Sequence, residues 1–134
     1  MSRAIWLVLD SLGVGAAPDA QDYGDLGADT FGHIAEACAA APRGALRLPN
    51  LSRLGLPQAH AAAHGRAAPG FENAPPPEGL WGHAMEQACG KDTPSGHWEL
   101  AGVPVPWDWH YFPNAQPAFP KDLLDEVARL TGAG

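Results

Sequence analysis

The sequence predicts an α/β fold, in which strands separated by helices share one core. Three stretches carry that expectation. "RAIWLVLD", residues 3–10, is a short apolar run closed by an acid and followed by the glycine-rich turn "SLGVG", the pattern of a buried strand. "FGHIAEACAAA" and "FPKDLLDEVARLTG" are two well-punctuated helical patterns. The chain has 134 residues, of which 46% are apolar. That suffices for one domain with a real core and excludes a disordered composition.

Taken in order, the first strand puts Asp10 at its carboxyl end, where open α/β sheets bind ligands. The alternative is that Asp10 caps the turn through its own backbone, and the residues alone leave the two open. "APDAQDYGDLGADT" is a polar loop. Asp29 or Thr30 can cap the following helix, which stops before Pro42. "LPNLSRLGL" is a second short helix, with Asn50 as N-cap and Gly55 as its stop. Residues 57–78 are rich in Ala, Pro, Gly and His and are expected to be a mobile surface excursion. "GLWGHAMEQ" fits a second strand with imperfect alternation, and "TPSGHWELAG" starts a helix. "VPVPWDWHYFPNAQPAF" is extended and limited by its prolines. In the final helix Pro120 opens, Leu123, Leu124 and Val127 share a face, and Gly132 closes. Two strands cannot make a stable doubly wound sheet alone, so the chain is expected to be the N-terminal piece of a longer protein.

Charge and cysteine usage narrow the function. The formal net charge is −7, which argues against a general nucleic-acid binder. It suits a protein that meets anions at one focused site, with help from metal ions. Cys38 and Cys89 show no zinc-finger spacing, and reduced thiols in a cytoplasmic protein are a simpler reading than a disulfide. The N-terminal apolar run is too short for a signal peptide, and no stretch approaches a membrane span.

The densest chemistry lies in "CGKDTPSGHWE", residues 89–99. Pro94 suits the first position of a helix, which makes Thr93 the N-cap beside the unpaired N–H groups of Ser95 and Gly96. Such a terminus favours a phosphate, although an ordinary threonine cap fits the same residues. Ser95, inside the first turn, should point elsewhere. An acid at Asp10 and a hydroxyl at Thr93, each following a strand, would be half a site for a hard metal ion and a phosphoryl group. Lys91 either binds a phosphate or pairs with Asp92. His97, four residues after Thr93, either steers that threonine or bonds a neighbouring loop. His60 and His64 have the i, i+4 spacing of a helical metal pair. With no acidic neighbour in sequence, a metal role there is the minority reading, because such sites need three or four ligands. His33 more ordinarily packs or faces solvent, and His83 and His110 carry no readable constellation. Trp107 and Trp109 form an aromatic contact surface or, more ordinarily, pack in a core or between domains.

"LVLDSLGVGAAPDAQDYGDLGADTFGHIAEA", "LPNLSRLGL" and "GKDTPSGHWELAGVPV" resemble the N-terminal part of the phosphopentomutase family, within the alkaline phosphatase superfamily. The final helix matches as well, so the resemblance covers nearly the whole chain. It implies an alkaline-phosphatase-like core sheet with flanking helices over 1–100 and the beginning of a cap domain over 101–134. It implies a cytoplasmic isomerase of nucleoside catabolism that interconverts ribose (or deoxyribose) 1-phosphate and 5-phosphate through a phosphothreonine and a 1,5-bisphosphate. Two divalent metal ions, typically Mn2+, a pentose phosphate substrate and a sugar bisphosphate activator come with it; nucleic acid and membrane do not. Carried over by motif, Thr93 is the catalytic threonine and contacts metal, and Asp10 is a metal ligand; no substrate-binding residue is assigned. The family's later Asp and His ligands have no counterpart here, so this chain alone is expected to be inactive. The alternatives are an inert fragment or non-catalytic remnant, and another metal-dependent phosphatase or phosphomutase of the superfamily.

Overall fold

The computed structural model describes residues 2–9 and 11–133. Its helices are α1 (Thr30–Ala40), α2 (Pro49–Arg53), α3 (Leu56–His64), α4 (Thr93–Leu100) and α5 (Lys121–Thr131), with a 3-10 turn at Ala20–Tyr23. Helix α1 begins as its sequence dictates: the Asp29 carboxylate caps it, accepting from the Gly32 N–H at 3.0 Å, and Ala41 turns extended just before Pro42. Helix α2 departs from expectation. Pro49 takes its first turn and Leu48 the cap position, so Asn50 lies inside the helix. A proline pre-set at φ near −65° opens a helix without any side-chain cap. Gly55 ends α2 as expected, but it also starts α3, with φ 99°.

The stretch 57–78 is not a surface excursion. Its first part is α3, and its second part folds back onto the core. The Arg53 guanidinium grips Glu78 with two bonds of 2.8 and 2.6 Å, and Gln58 donates to the Pro75 carbonyl at 2.9 Å. The apolar payoff is Ala68 and Phe71, both buried, which join Phe31 and Ala35 of α1 in the core. Leu12 and Val14, from the turn after the first apolar run, pack against that cluster. The Phe31 and Phe71 rings meet at 5.2 Å, a spacing suited to tilted aromatic pairs.

The α/β sheet is not found. Among the described residues there is no strand at all. Residues 3–9 and 79–87 run as unpaired chain, with Ile5 93%, Leu7 80% and Leu80 104% exposed. The physical reason is that a strand exists through its neighbour: apolar alternation supplies a face, while the ladder of N–H and C=O bonds must come from a second strand. These two runs do not supply it for each other. An alkaline-phosphatase-like core sheet is therefore not part of this structure.

Helices α4 and α5 form where predicted. Helix α5 runs from Pro120 to the left-handed Gly132. Its Leu123, Leu124, Val127 and Leu130 are all exposed, so its apolar face is in place but unburied. Ion pairs Lys121–Asp125 and Arg129–Glu126 lace its polar side.

Candidate functional site

Helix α4 carries the threonine that the sequence singles out, but the capping differs. Asp92, in extended conformation, is the N-cap, and its Oδ1 accepts from the Ser95 N–H at 2.7 Å. Thr93 is the first helical residue, and the Gly96 N–H points to the Asp92 carbonyl at 3.5 Å. The two amides expected to face an anion are thus engaged by Asp92. An aspartate caps better than a threonine because its carboxylate also meets the positive end of the helix. Asp92, not its neighbour Thr93, is therefore the cap.

The two hydroxyls of the segment differ sharply. Thr93 is exposed. Ser95 is 0% exposed, and its Oγ accepts from the Trp109 Nε1–H at 2.6 Å. Trp98, Trp107 and Trp109 stand edge to face behind it, with ring centres 5.6 and 6.4 Å apart along the row. Trp107 and Trp109 thus hold α4 through its own Trp98 and Ser95, while each of the three rings keeps a large exposed surface. His97 bonds through Nδ1 to the Thr93 carbonyl at 2.9 Å; it holds the first turn and does not touch the threonine hydroxyl. Lys91 pairs with Asp25 rather than with Asp92. Its backbone N–H meets the Tyr111 hydroxyl at 2.6 Å. Gly90 has φ 139°, and its N–H donates to Asp19 at 3.2 Å. A side chain at Gly90 would run into the Tyr111 hydroxyl.

Thr93 opens onto a cavity of about 1170 Å³ whose wall also includes Leu9, Ser11, Gly13 and Asp19. The cavity thus brings the 89–99 segment and the glycine turn together. Asp10, expected as a metal ligand between Leu9 and Ser11, lies outside the described residues. The surroundings are acidic. Burial pushes the Glu86 carboxyl up, and the charges of Glu99, Asp19 and Asp92 add to it. The Asp92 Oδ2 atom is buried without a partner. Carboxylates gathered in this way favour hard divalent cations as partners, although the four do not converge on one point as metal ligands would.

The i, i+4 pair His60 and His64 gains an acidic neighbour that is not adjacent in sequence, Asp29. His60 is 1% exposed and its Nε2 lies 2.8 Å from Asp29 Oδ2. His64 Nε2 lies 3.4 Å from the same oxygen and 2.9 Å from the Val14 carbonyl. Burial raises the Asp29 carboxyl, but the bonds from His60 and Gly32 and the two nearby imidazoles outweigh it and hold the group below the usual range. The acidic partner of the i, i+4 pair was hidden because it is the N-cap of α1, thirty-one positions away from His60. Both cysteines are free thiols, Cys38 half-buried and Cys89 exposed. No helix among the described residues is long and apolar enough to cross a membrane.

Comparison with known proteins finds curated relatives along nearly the whole chain. It is 58% identical over 141 residues to the phosphopentomutase of Hahella chejuensis, 58% over 139 residues to that of Methylorubrum extorquens, and 53% over 138 residues to that of Vibrio cholerae. Each alignment covers 98% of this chain and 34% of the relative, so the chain spans about one third of the length of these relatives. No protein-family model and no solved structure matches the chain.

Proposed function

We propose that this chain, which belongs to the phosphopentomutase family, carries the phosphoryl-accepting residue of an isomerase that interconverts pentose 1-phosphate and pentose 5-phosphate. The observation that carries the reading is the placement of the exposed Thr93 on one cavity wall with Leu9 and Ser11, the neighbours of Asp10.

In this reading phospho-Thr93 gives its phosphoryl group to the free hydroxyl of the incoming sugar phosphate. The bond from phosphorus to Thr93 Oγ1 breaks, the bond to the sugar oxygen forms, and the sugar hydroxyl proton passes in net to Thr93 Oγ1, so that Thr93 ends as a free hydroxyl. The resulting 1,5-bisphosphate then returns its other phosphate to Thr93, which restores the phosphoenzyme. Divalent cations, when bound, neutralise the charge of the transferring group. Asp10 and Thr93 are the residues of this chain that would hold them, and manganese suits an all-oxygen donor set. The Asp92 cap and the His97 bond to the Thr93 carbonyl fix the first turn of α4, so the hydroxyl is presented without backbone reorganisation. A metal-binding unit over 1–100, a further unit over 101–134, a sugar bisphosphate activator and a cytoplasmic location belong to the same reading.

The test is turnover of ribose 1-phosphate by a protein of full family length that contains this sequence. Thr93→Ala should abolish isomerisation, and Asp10→Asn should weaken manganese binding and slow turnover while the helical content is kept. Full activity in Thr93→Ala would overturn the assignment, and undiminished metal affinity in Asp10→Asn would leave Asp10 a turn residue.

A further inference from the structure

Helix α3 presents two imidazoles, His60 and His64, one turn apart on one face. Their rings stack at 4.4 Å with planes 23° apart. Both Nε2 atoms converge on the same carboxylate oxygen, Asp29 Oδ2, at 2.8 and 3.4 Å. All three atoms lie within 4.8 Å of one another. The Val14 carbonyl oxygen, 2.9 Å from His64 Nε2, adjoins the group from the side of the glycine turn. A tetrahedral ion with ligand bonds near 2.0–2.1 Å needs neighbouring ligand atoms about 3.3 Å apart, and these spacings bracket that value. Gly32 makes the approach possible: a Cβ there would lie 1.9 Å from Asp29 Oδ2 and 2.8 Å from His60 Nε2.

We infer that His60, His64 and Asp29 form a binding site for a divalent transition-metal ion of the zinc class, with the Val14 carbonyl or a water as fourth ligand. Two imidazoles and one carboxylate select borderline ions such as Zn2+ over the hard ions suited to an all-oxygen set. The site shares no residue with Asp10 or Thr93. A bound ion takes both Nε2 lone pairs, so each imidazole then keeps its proton on Nδ1, and the ion replaces the hydrogen bonds to Asp29. His60 Nδ1 is buried without a partner, so its N–H in the loaded form needs a water as acceptor. His64, whose side chain is 26% exposed, forms the entry path. The bound ion would tie α1, α3 and the Val14 turn together.

The test is titration of the purified 134-residue chain with Zn2+ by calorimetry and with Co2+ by visible absorption. One ion per chain and the d–d bands of tetrahedral cobalt are expected. His64→Ala, at a partly exposed position, should weaken binding by about tenfold or more, and Asp29→Asn by at least as much. Circular dichroism verifies that each variant keeps its helices. A variant with both Cys38 and Cys89 changed to Ser should bind as the parent does. Absence of binding, or binding lost with the thiols and kept in His64→Ala, overturns the proposal and leaves the cluster a hydrogen-bonded clamp.

Discussion

At the scale of single residues, small differences in position decide chemistry. Thr93 and Ser95 are two positions apart, yet one is exposed and the other is sealed under Trp109. Gly32 is the quietest residue of α1 and among the most constrained. Alanine is favoured over glycine inside a helix by about 1 kcal/mol. Here the added Cβ would occupy the space of the Asp29 carboxylate, which costs the cap and the buried bond to His60, about 1–3 kcal/mol. The second effect wins, so Gly32→Ala should lower the melting temperature. An unchanged or raised value would mean that the Asp29 carboxylate can move aside freely. Glu86 gives a prediction of opposite sign. Its raised carboxyl pKa means that the protonated form suits the fold. That contribution is complete below the ordinary carboxyl range and is lost as pH rises through the raised folded value. Glutamine mimics the protonated form. Glu86→Gln should therefore raise the melting temperature near neutral pH and do little at about pH 4; an equal gain at both would assign the effect to packing.

Elements were legible where local signals agreed. Helix α1 was readable from Asp29 to Pro42, and α5 from Pro120 to Gly132, because cap, periodicity and stop all coincide within one stretch. Helix α3 has little local signal because an alanine- and histidine-rich run has a weak apolar face, and it is held by contacts with Phe31 of α1 and with the α1 cap Asp29. The start of α4 was read one residue late, since an aspartate and a threonine both cap and sequence does not rank them at one site. Gly55 joins α2 to α3 with φ 99°, and a Cβ there would lie 2.5 Å from the Cβ of Trp81. Gly55→Ala should therefore destabilise the chain by about 1–3 kcal/mol, read by chemical denaturation. A loss within error of zero would show that the α2–α3 corner adapts.

At the scale of the whole molecule, the two apolar runs explain why the sheet expectation failed. A folded chain of 14.0 kDa exposes about 6,700 Å² by the usual scaling of surface with mass, whereas this one exposes 10400 Å². The excess includes Ile5, Leu7 and Leu80 on the runs that read as strands. Their pattern was legible, but a pattern specifies a face and not its partner. The candidate site was legible in the same partial way. Thr93 and the turn beside Asp10 were readable from local motifs, and the cavity they share came only with the fold. The histidine pair was legible from its i, i+4 spacing, but its acidic partner Asp29 was not, because the fold brings it from thirty-one positions away. The central claim is that Thr93 is the phosphoryl carrier. Phosphopeptide mapping of the family-length protein after incubation with a sugar bisphosphate tests it most directly. Phosphate on the Thr93 peptide, lost in Thr93→Ala and kept in Ser95→Ala, is the predicted result; phosphate on Ser95, or on neither residue, would contradict it.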